Sequence, residues 1–260
     1  MNLGLESKVA VVSGASRGIG RACAEELARE GANLALVARD EPALAEVRSA
    51  IEKLGRRAII IARDLREHQA AAEAIHAALA AFGRIDLLVH SAGATKRGDF
   101  FSLTDTDFED GFALKFMGAV RLMREAWPHL IKTRGTVINI IGVGGRNASP
   151  HFTVGGPVNA ALMNLTKAMA LRGVAEGVRV VGINPGLVET DRLRRRLQAR
   201  MAADQCSDEE ARRAVLAEHG IARFGQPEDI GRLVCFLAGP TASFMQGTLV
   251  DADGGESRSV

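Results

Sequence analysis

The sequence predicts an α/β fold: one doubly wound parallel sheet of about seven strands with helices on both faces. Three observations predict it. Short β-branched runs alternate with longer segments of helical periodicity. Those runs are almost continuously apolar, the pattern of strands covered on both faces. A glycine-rich turn, SGASRGIG at 13–20, stands between the first run and the first helical segment. Strands alternating with helices fold through right-handed βαβ crossovers into one sheet.

The elements follow in order. KVAVVSG (8–14) reads as the first strand and 18–30 as the first helix. ANLALVAR (32–39) precedes a helix at 41–54, and RAIIIARD (57–64) one at 66–82. RIDLLVHSAG (84–93) leads to a helix at 107–131, and GTVINIIG (135–142) to one at 157–174. VRVVGINPG (178–186) is followed by the least regular stretch, 187–220, rich in arginine and then in acids. We expect a helical flap there, over the carboxyl ends of the strands, where such sheets bind ligands. A helix at 227–238 precedes the last strand, GTLVDADGG (247–255). No Pro/Ser linker, repeat or low-complexity tract marks a second domain, so 1–260 reads as one domain.

Composition narrows the function classes. The chain has 260 residues, 47% hydrophobic and 25% charged, as in ordinary globular proteins. A net charge of +2 gives no reason to expect a nucleic-acid or membrane-surface partner. The opening MNLGLESKVAVVSG lacks the basic flank and long apolar stretch of a signal peptide, and no apolar run approaches a membrane span. Cys23, Cys206 and Cys235 read as reduced thiols of a cytoplasmic protein. The six histidines form no ligand-spaced grouping, so no metal is expected.

The turn at 13–20 suits a pyrophosphate. Gly14 permits the tight bend, Gly18 lets the backbone approach a phosphate, and Gly20 lets the helix pack near the strand. The helix start offers N–H groups and a positive dipole end. The bland alternative is a structural turn. Arg39 ends the second strand, where an acid would bind the ribose of NAD and an arginine suits the 2′-phosphate of NADP. Arg17 adds a second cation. Asp40 is a competitor that can turn inward. NADP(H) is favoured over NAD(H).

These features, taken together, resemble the short-chain dehydrogenase/reductase family along essentially the whole chain. SGASRGIG is similar to the family's TGxxxGIG loop, and HSAG (90–93) stands where NNAG is usual. Asp64 in ARDL matches an acid that contacts adenine. NPGLVET (184–190) matches the PG motif, with Thr190 toward the nicotinamide amide. RFGQPEDIG (223–231) and the last strand match the family's C-terminal part. The resemblance implies a Rossmann-type fold and a homotetramer or homodimer. It implies cofactor contacts from Gly14, Ser16, Arg17, Gly18, Ile19 and Gly20. Further contacts are implied for Arg39, Asp64, Leu65, Ser91, Ala92 and Gly93, and for Pro185, Gly186 and Thr190.

The catalytic positions depart from the family's Asn, Ser, Tyr and Lys. The Asn position holds Lys115, the Ser position Gly142, the Tyr position Gly155 and the Lys position Asn159. Tyrosine is absent from the chain altogether. Reduction of a carbonyl builds negative charge on oxygen and needs a proton. Loss of a positioned acid costs on the order of 10²–10⁴ in rate. Lys115 and Asn159 look like an exchange that keeps one ammonium and one amide in the same volume. Lys115 is then the candidate proton donor, or a structural lysine on helix carbonyls or a carboxylate.

Pro157 favours a first helical position, which predicts a helix starting near it, with N–H groups facing the space left by the tyrosine. His151 is a candidate for the pocket rim, or a solvated loop residue. Arg192, Arg194, Arg195, Arg196 and Arg200 either clamp an acidic substrate or form an exposed helix face balanced by Asp204, Asp208, Glu209 and Glu210. His90 reads as structural. Three functions remain open: an NADP(H)-dependent oxidoreductase on a small carbonyl or alcohol, a silent cofactor-binding subunit or sensor beside an active homologue, and a non-redox lyase or isomerase.

Overall fold

The computed structural model describes residues 3–257. Seven parallel strands form one sheet in the order β3-β2-β1-β4-β5-β6-β7. They are β1 (Val9–Ser13), β2 (Asn33–Ala38), β3 (Ala58–Ala62), β4 (Leu87–His90), β5 (Thr136–Ile140), β6 (Arg179–Pro185) and β7 (Leu249–Ala252). Each falls inside its expected run and is shorter by the residues that turn away at the ends. The order reverses between β1 and β4, where Ser13 pairs with His90. In a doubly wound sheet such a reversal sets the ligand crevice at the carboxyl ends of these strands.

Helices cover both faces. On one lie α1 (Gly18–Arg29), α2 (Glu41–Lys53) and α9 (Pro227–Ala238), which bury Leu27, Val47 and Val234 against Val12 and Leu36. On the other lie α3 (Ala70–Phe82) and α5 (Gly118–Thr133), with Leu122 and Trp127 against Val11 and Leu88. The long α6 (Gly155–Glu176) packs on β6. No helix among the described residues is long and apolar enough to cross a membrane.

Three segments differ from expectation. The helix expected at 66–82 begins only at Ala70, because Arg66 closes a turn onto Asp64, its N–H 3.0 Å from Oδ1. The helix expected at 107–131 is three pieces: α4 (Asp105–Gly111), a π-helix at Phe112–Met117, and α5. The wider π turn carries Lys115 inward. The helix α6 starts at Gly155, not near Pro157. Its bonding reaches further back, since the Gly156 N–H donates to the Phe152 carbonyl at 2.9 Å.

The stretch after β6 forms α7 (Asp191–Asp204) and α8 (Asp208–His219). They share a small core of Leu193, Leu197, Ala211 and Val215 with Ile221 and Phe224. Thr190 precedes α7 directly, so the pair is anchored at the mouth of the crevice.

Candidate active site

The turn after β1 is shaped by backbone contact. Gly14 has φ +69°, and an added Cβ would lie 2.8 Å from the Ala92 N. On Gly20 an added Cβ would lie 2.1 Å from the Gly14 carbonyl oxygen. One on Gly18 would stand 3.2 Å from Thr190 Cγ2, so the turn and the PG segment close on one crevice. The first N–H groups of α1 have no acceptor within the helix and no side-chain cap. A pyrophosphate of a dinucleotide fits such a cradle.

At the adenine end, Arg39 is 61% exposed and reaches Asp64 at 3.4 Å. Asp40, a competitor for the ribose, is committed elsewhere: its Oδ1 accepts from the Ala43 N–H at 3.1 Å and caps α2. Burial pushes the Asp64 carboxyl up, but bonds from the Arg66 N–H and guanidinium outweigh it and hold Asp64 below the usual carboxylate range. Arg17 is exposed beside the turn.

His90 ties the floor of the crevice to the π-helix. Its Nε2 lies 2.9 Å from the Lys115 carbonyl, which only accepts, so Nε2 carries the proton. Nδ1 then accepts from Ser13 Oγ at 2.9 Å, and Ser13 Oγ accepts from the Ser91 and Ala92 N–H groups at 3.2 Å. Burial lowers the His90 pKa to about 4, so the ring is neutral.

Lys115 and Asn159 meet. Lys115 Nζ donates to Asn159 Oδ1 at 2.6 Å and to the Ile141 carbonyl. Among the described residues no carboxylate pairs with Lys115. Burial, and then the charge of Arg192, lower its pKa to about 7. Asn159 turns its Nδ2 toward the Gly142 carbonyl at 3.4 Å. Gly142 has φ +127°, a conformation that a serine adopts only under strain. An added Cβ there would lie 3.1 Å from Asn159 Nδ2.

The space expected to be bare beside Gly155 is filled. A Cβ on Gly155 would overlap the Phe152 ring, 2.0 Å from Cζ, and stand 2.7 Å from Thr95 Oγ1. The same ring covers Gly144. This corrects the expectation of helix N–H groups facing an open space: Pro157 has no N–H, and that of Gly156 is already bonded. The Arg97 guanidinium lies over Phe152, 4.6 Å from the ring centroid.

Phe152, Thr95 and Arg97 were not singled out from the sequence. Nothing in the spacing indicates that a residue three positions before Gly155 folds back over it. His151 is exposed, and its carbonyl accepts from the Gly98 N–H at 3.3 Å. The arginine run divides. Arg194 pairs with Asp191 at 3.3 Å and Arg200 with Glu218 at 2.5 Å, while Arg192 reaches the Gly93 carbonyl at 3.4 Å and Arg196 reaches His219. No three His, Cys, Asp or Glu side chains converge to hold a metal ion among the described residues.

Comparison with known proteins agrees with this architecture. A family profile described as enoyl-(acyl carrier protein) reductase matches residues 14–257. An uncharacterized oxidoreductase of Mycobacterium tuberculosis is 33% identical over 253 residues, covering 96% of this chain and 92% of the relative. Meso-2,3-butanediol dehydrogenase of Serratia marcescens is 29% identical over 257 residues, 98% of this chain and 96% of that one. Among solved structures, L-sorbose reductase of Gluconobacter frateurii, complexed with NADPH and L-sorbose, superposes with a TM-score of 0.96 at 29% identity, covering 100% of both chains.

Proposed function

The chain belongs to the short-chain dehydrogenase/reductase family, and on that premise we propose that it is an NADP(H)-dependent oxidoreductase of a carbonyl or alcohol in which Lys115 is the proton donor. The turn Gly14–Gly20, with Ser16 and Ile19, holds the pyrophosphate on the start of α1. Arg39 and Arg17 take the 2′-phosphate, while Asp64 and Leu65 flank the adenine. Ser91, Ala92, Gly93, Pro185, Gly186 and Thr190 line the nicotinamide end. NADPH, when bound, supplies a hydride to the carbonyl carbon. The two electrons of the C=O π bond move to the oxygen, which takes a proton from the Lys115 ammonium. Lys115 is left as a neutral amine, held by Asn159 and the Ile141 carbonyl, and regains its proton from water. Alcohol oxidation runs the same transfers backwards.

One observation carries this reading: a buried lysine, paired with no carboxylate among the described residues, whose ammonium is held by Asn159 Oδ1 and the Ile141 carbonyl and whose pKa burial lowers to about 7. A donor with a pKa near the working pH is what general-acid catalysis favours. The likeness to an NADPH-bound reductase supports the cofactor assignment. Assembly as a homodimer or homotetramer, in the cytoplasm, belongs to the same reading. Leu171, Val174 and Phe244, which are 78%, 70% and 102% exposed, support the assembly. NADPH oxidation across a panel of carbonyl compounds tests the function. Lys115→Met is expected to keep NADPH affinity and to lose on the order of 10²–10⁴ in turnover. Equal turnover by the variant would remove Lys115 from the chemistry.

A second reading has its own observation. Phe152 occupies the volume of the missing phenol, as expected of a protein that binds the dinucleotide without turning it over. Tight NADPH binding with no oxidation by any carbonyl compound would favour that silent form.

A further inference from the structure

Two segments bring three arginines to the carboxyl ends of the strands. Arg97, in the loop after β4, lies over the ring that covers Gly155. Arg192, in the first turn of α7, reaches the Gly93 carbonyl. Gly93 lies against the Lys115 stem, since an added Cβ there would meet Lys115 Cδ at 2.9 Å. Arg196, one turn further along α7, is held by His219, with Nη2 2.7 Å from Nε2. An arginine only donates, so His219 Nε2 accepts, and its Nδ1 donates to Glu256 Oε1 at 2.8 Å. The Glu256–His219 pair thus fixes Arg196 without neutralising it directly.

These arginines differ from their neighbours on the same helix. Arg194 and Arg200 are matched by carboxylates, whereas Arg97 and Arg192 form no ion pair among the described residues. Desolvation, followed by the charges of Arg196 and Arg192, pushes Arg97 below its ordinary pKa. Arg192 is lowered by desolvation, then by Arg195 and Arg17. Guanidiniums crowded at one opening repel one another, and an oxyanion relieves that repulsion while matching their planar donor geometry.

We propose that Arg97, Arg192 and Arg196 form an oxyanion clamp, and that the substrate carries an acid group, carboxylate or phosphate, beside its reacting carbonyl. The substrate assignment rests on the reductase reading above; the anion site itself is testable without turnover. The clamp holds the acid group over Phe152 and leaves the carbonyl facing Lys115. Phe152 then has a role beyond filling space: its ring face supports the Arg97 guanidinium.

Matched substrates test the clamp in the protein loaded with NADPH. Each pair is a keto acid with its methyl ester, or a phosphorylated carbonyl compound with its unphosphorylated form. The acid member is expected to be favoured in kcat/KM by about 10- to 100-fold, as for charge-assisted hydrogen bonds. The pair with the larger ratio identifies the acid group. Arg97→Gln and Arg192→Gln should each reduce that ratio about tenfold, and Arg213→Gln on α8 should not. Oxamate and inorganic phosphate, titrated by calorimetry into the protein loaded with NADP+, give a second readout. Their binding should weaken by a similar factor in the same two variants. NADPH oxidation with no preference for acids, and no oxamate or phosphate binding, would overturn the clamp and leave the reductase reading standing. Anion binding lost in the variants, with no carbonyl compound reduced, would uphold the clamp and defeat that reading. If Arg192→Gln weakens NADPH as much as oxamate, Arg192 serves the cofactor and the clamp as drawn fails.

Discussion

The turn at 13–20 and the pocket around Lys115 sit at the same end of one sheet, yet they obey different constraints. The turn works through backbone. Gly14 and Gly20 are required because other main-chain atoms stand where a Cβ would be, and Gly18 is favoured by its φ of +54°. The pocket works through side chains. There the Lys115 ammonium donates to the Asn159 amide oxygen, and the Phe152 ring lies where a side chain on Gly155 would stand. Main-chain geometry closed by backbone contact tolerates no exchange, whereas a buried polar pair is replaceable by other groups of suitable size and charge.

The sharpest way to break this comparison is to put a side chain into the turn. Gly20→Val places carbon 2.1 Å from the Gly14 carbonyl oxygen, a backbone atom that moves only with the turn itself. NADPH affinity should fall about 1,000-fold or more, the scale of losing the phosphate cradle. Fluorescence titration measures it, and circular dichroism checks that the sheet survives. Retained affinity would mean that the turn is not the grip.

The two halves also differed in how much the sequence disclosed. All seven strands were legible, because apolar runs bounded by glycine and proline mark parallel strands covered on both faces. The approach of Lys115 to Asn159 was implied by the family resemblance, in which these two positions are neighbours. Phe152 over Gly155 was not, because a loop's path depends on packing that no local spacing encodes. Nor was the division of the arginine run. Arg192 and Arg194 look alike in sequence and separate only once Asp191 and Gly93 are placed around them. The π-helix was hidden because its apolar pattern passes for ordinary helical periodicity.

The second test concerns the pocket and uses pH. The folded protein lowers the Lys115 pKa from 10.5 to about 7. Below pH 7 both folded and unfolded chains hold the proton, and the folded protein bears the full cost of a buried charge. Between 7 and 10.5 the unfolded chain keeps a proton that the folded one has released, so stability rises with pH. Relative to Lys115→Met, the wild type should gain on the order of 5 kcal/mol across that window. Denaturant midpoints of both proteins at three pH values in that window measure the slope. A flat difference would mean that the Lys115 pKa is ordinary, and its fitness as a proton donor near neutral pH would go with it.

The smallest expected effect lies at the far end of the crevice, where backbone and side-chain control meet. Arg39 is open to solvent and holds Asp64 only at 3.4 Å, so it is free to turn onto a 2′-phosphate. Asp40 cannot easily oppose it while capping α2. Arg39→Gln removes one charge-assisted contact, which corresponds to about a tenfold loss of NADPH affinity with NADH affinity nearly unchanged. Competitive titration of the two cofactors measures the ratio. An equal loss for both would make Arg39 a partner of Asp64 and the adenine pocket, and would shift the choice of phosphate to Arg17. A tenfold change at Arg39, beside the far larger one at Gly20, would show the same division inside the cofactor site: backbone sets whether a dinucleotide binds, and exposed side chains set which one.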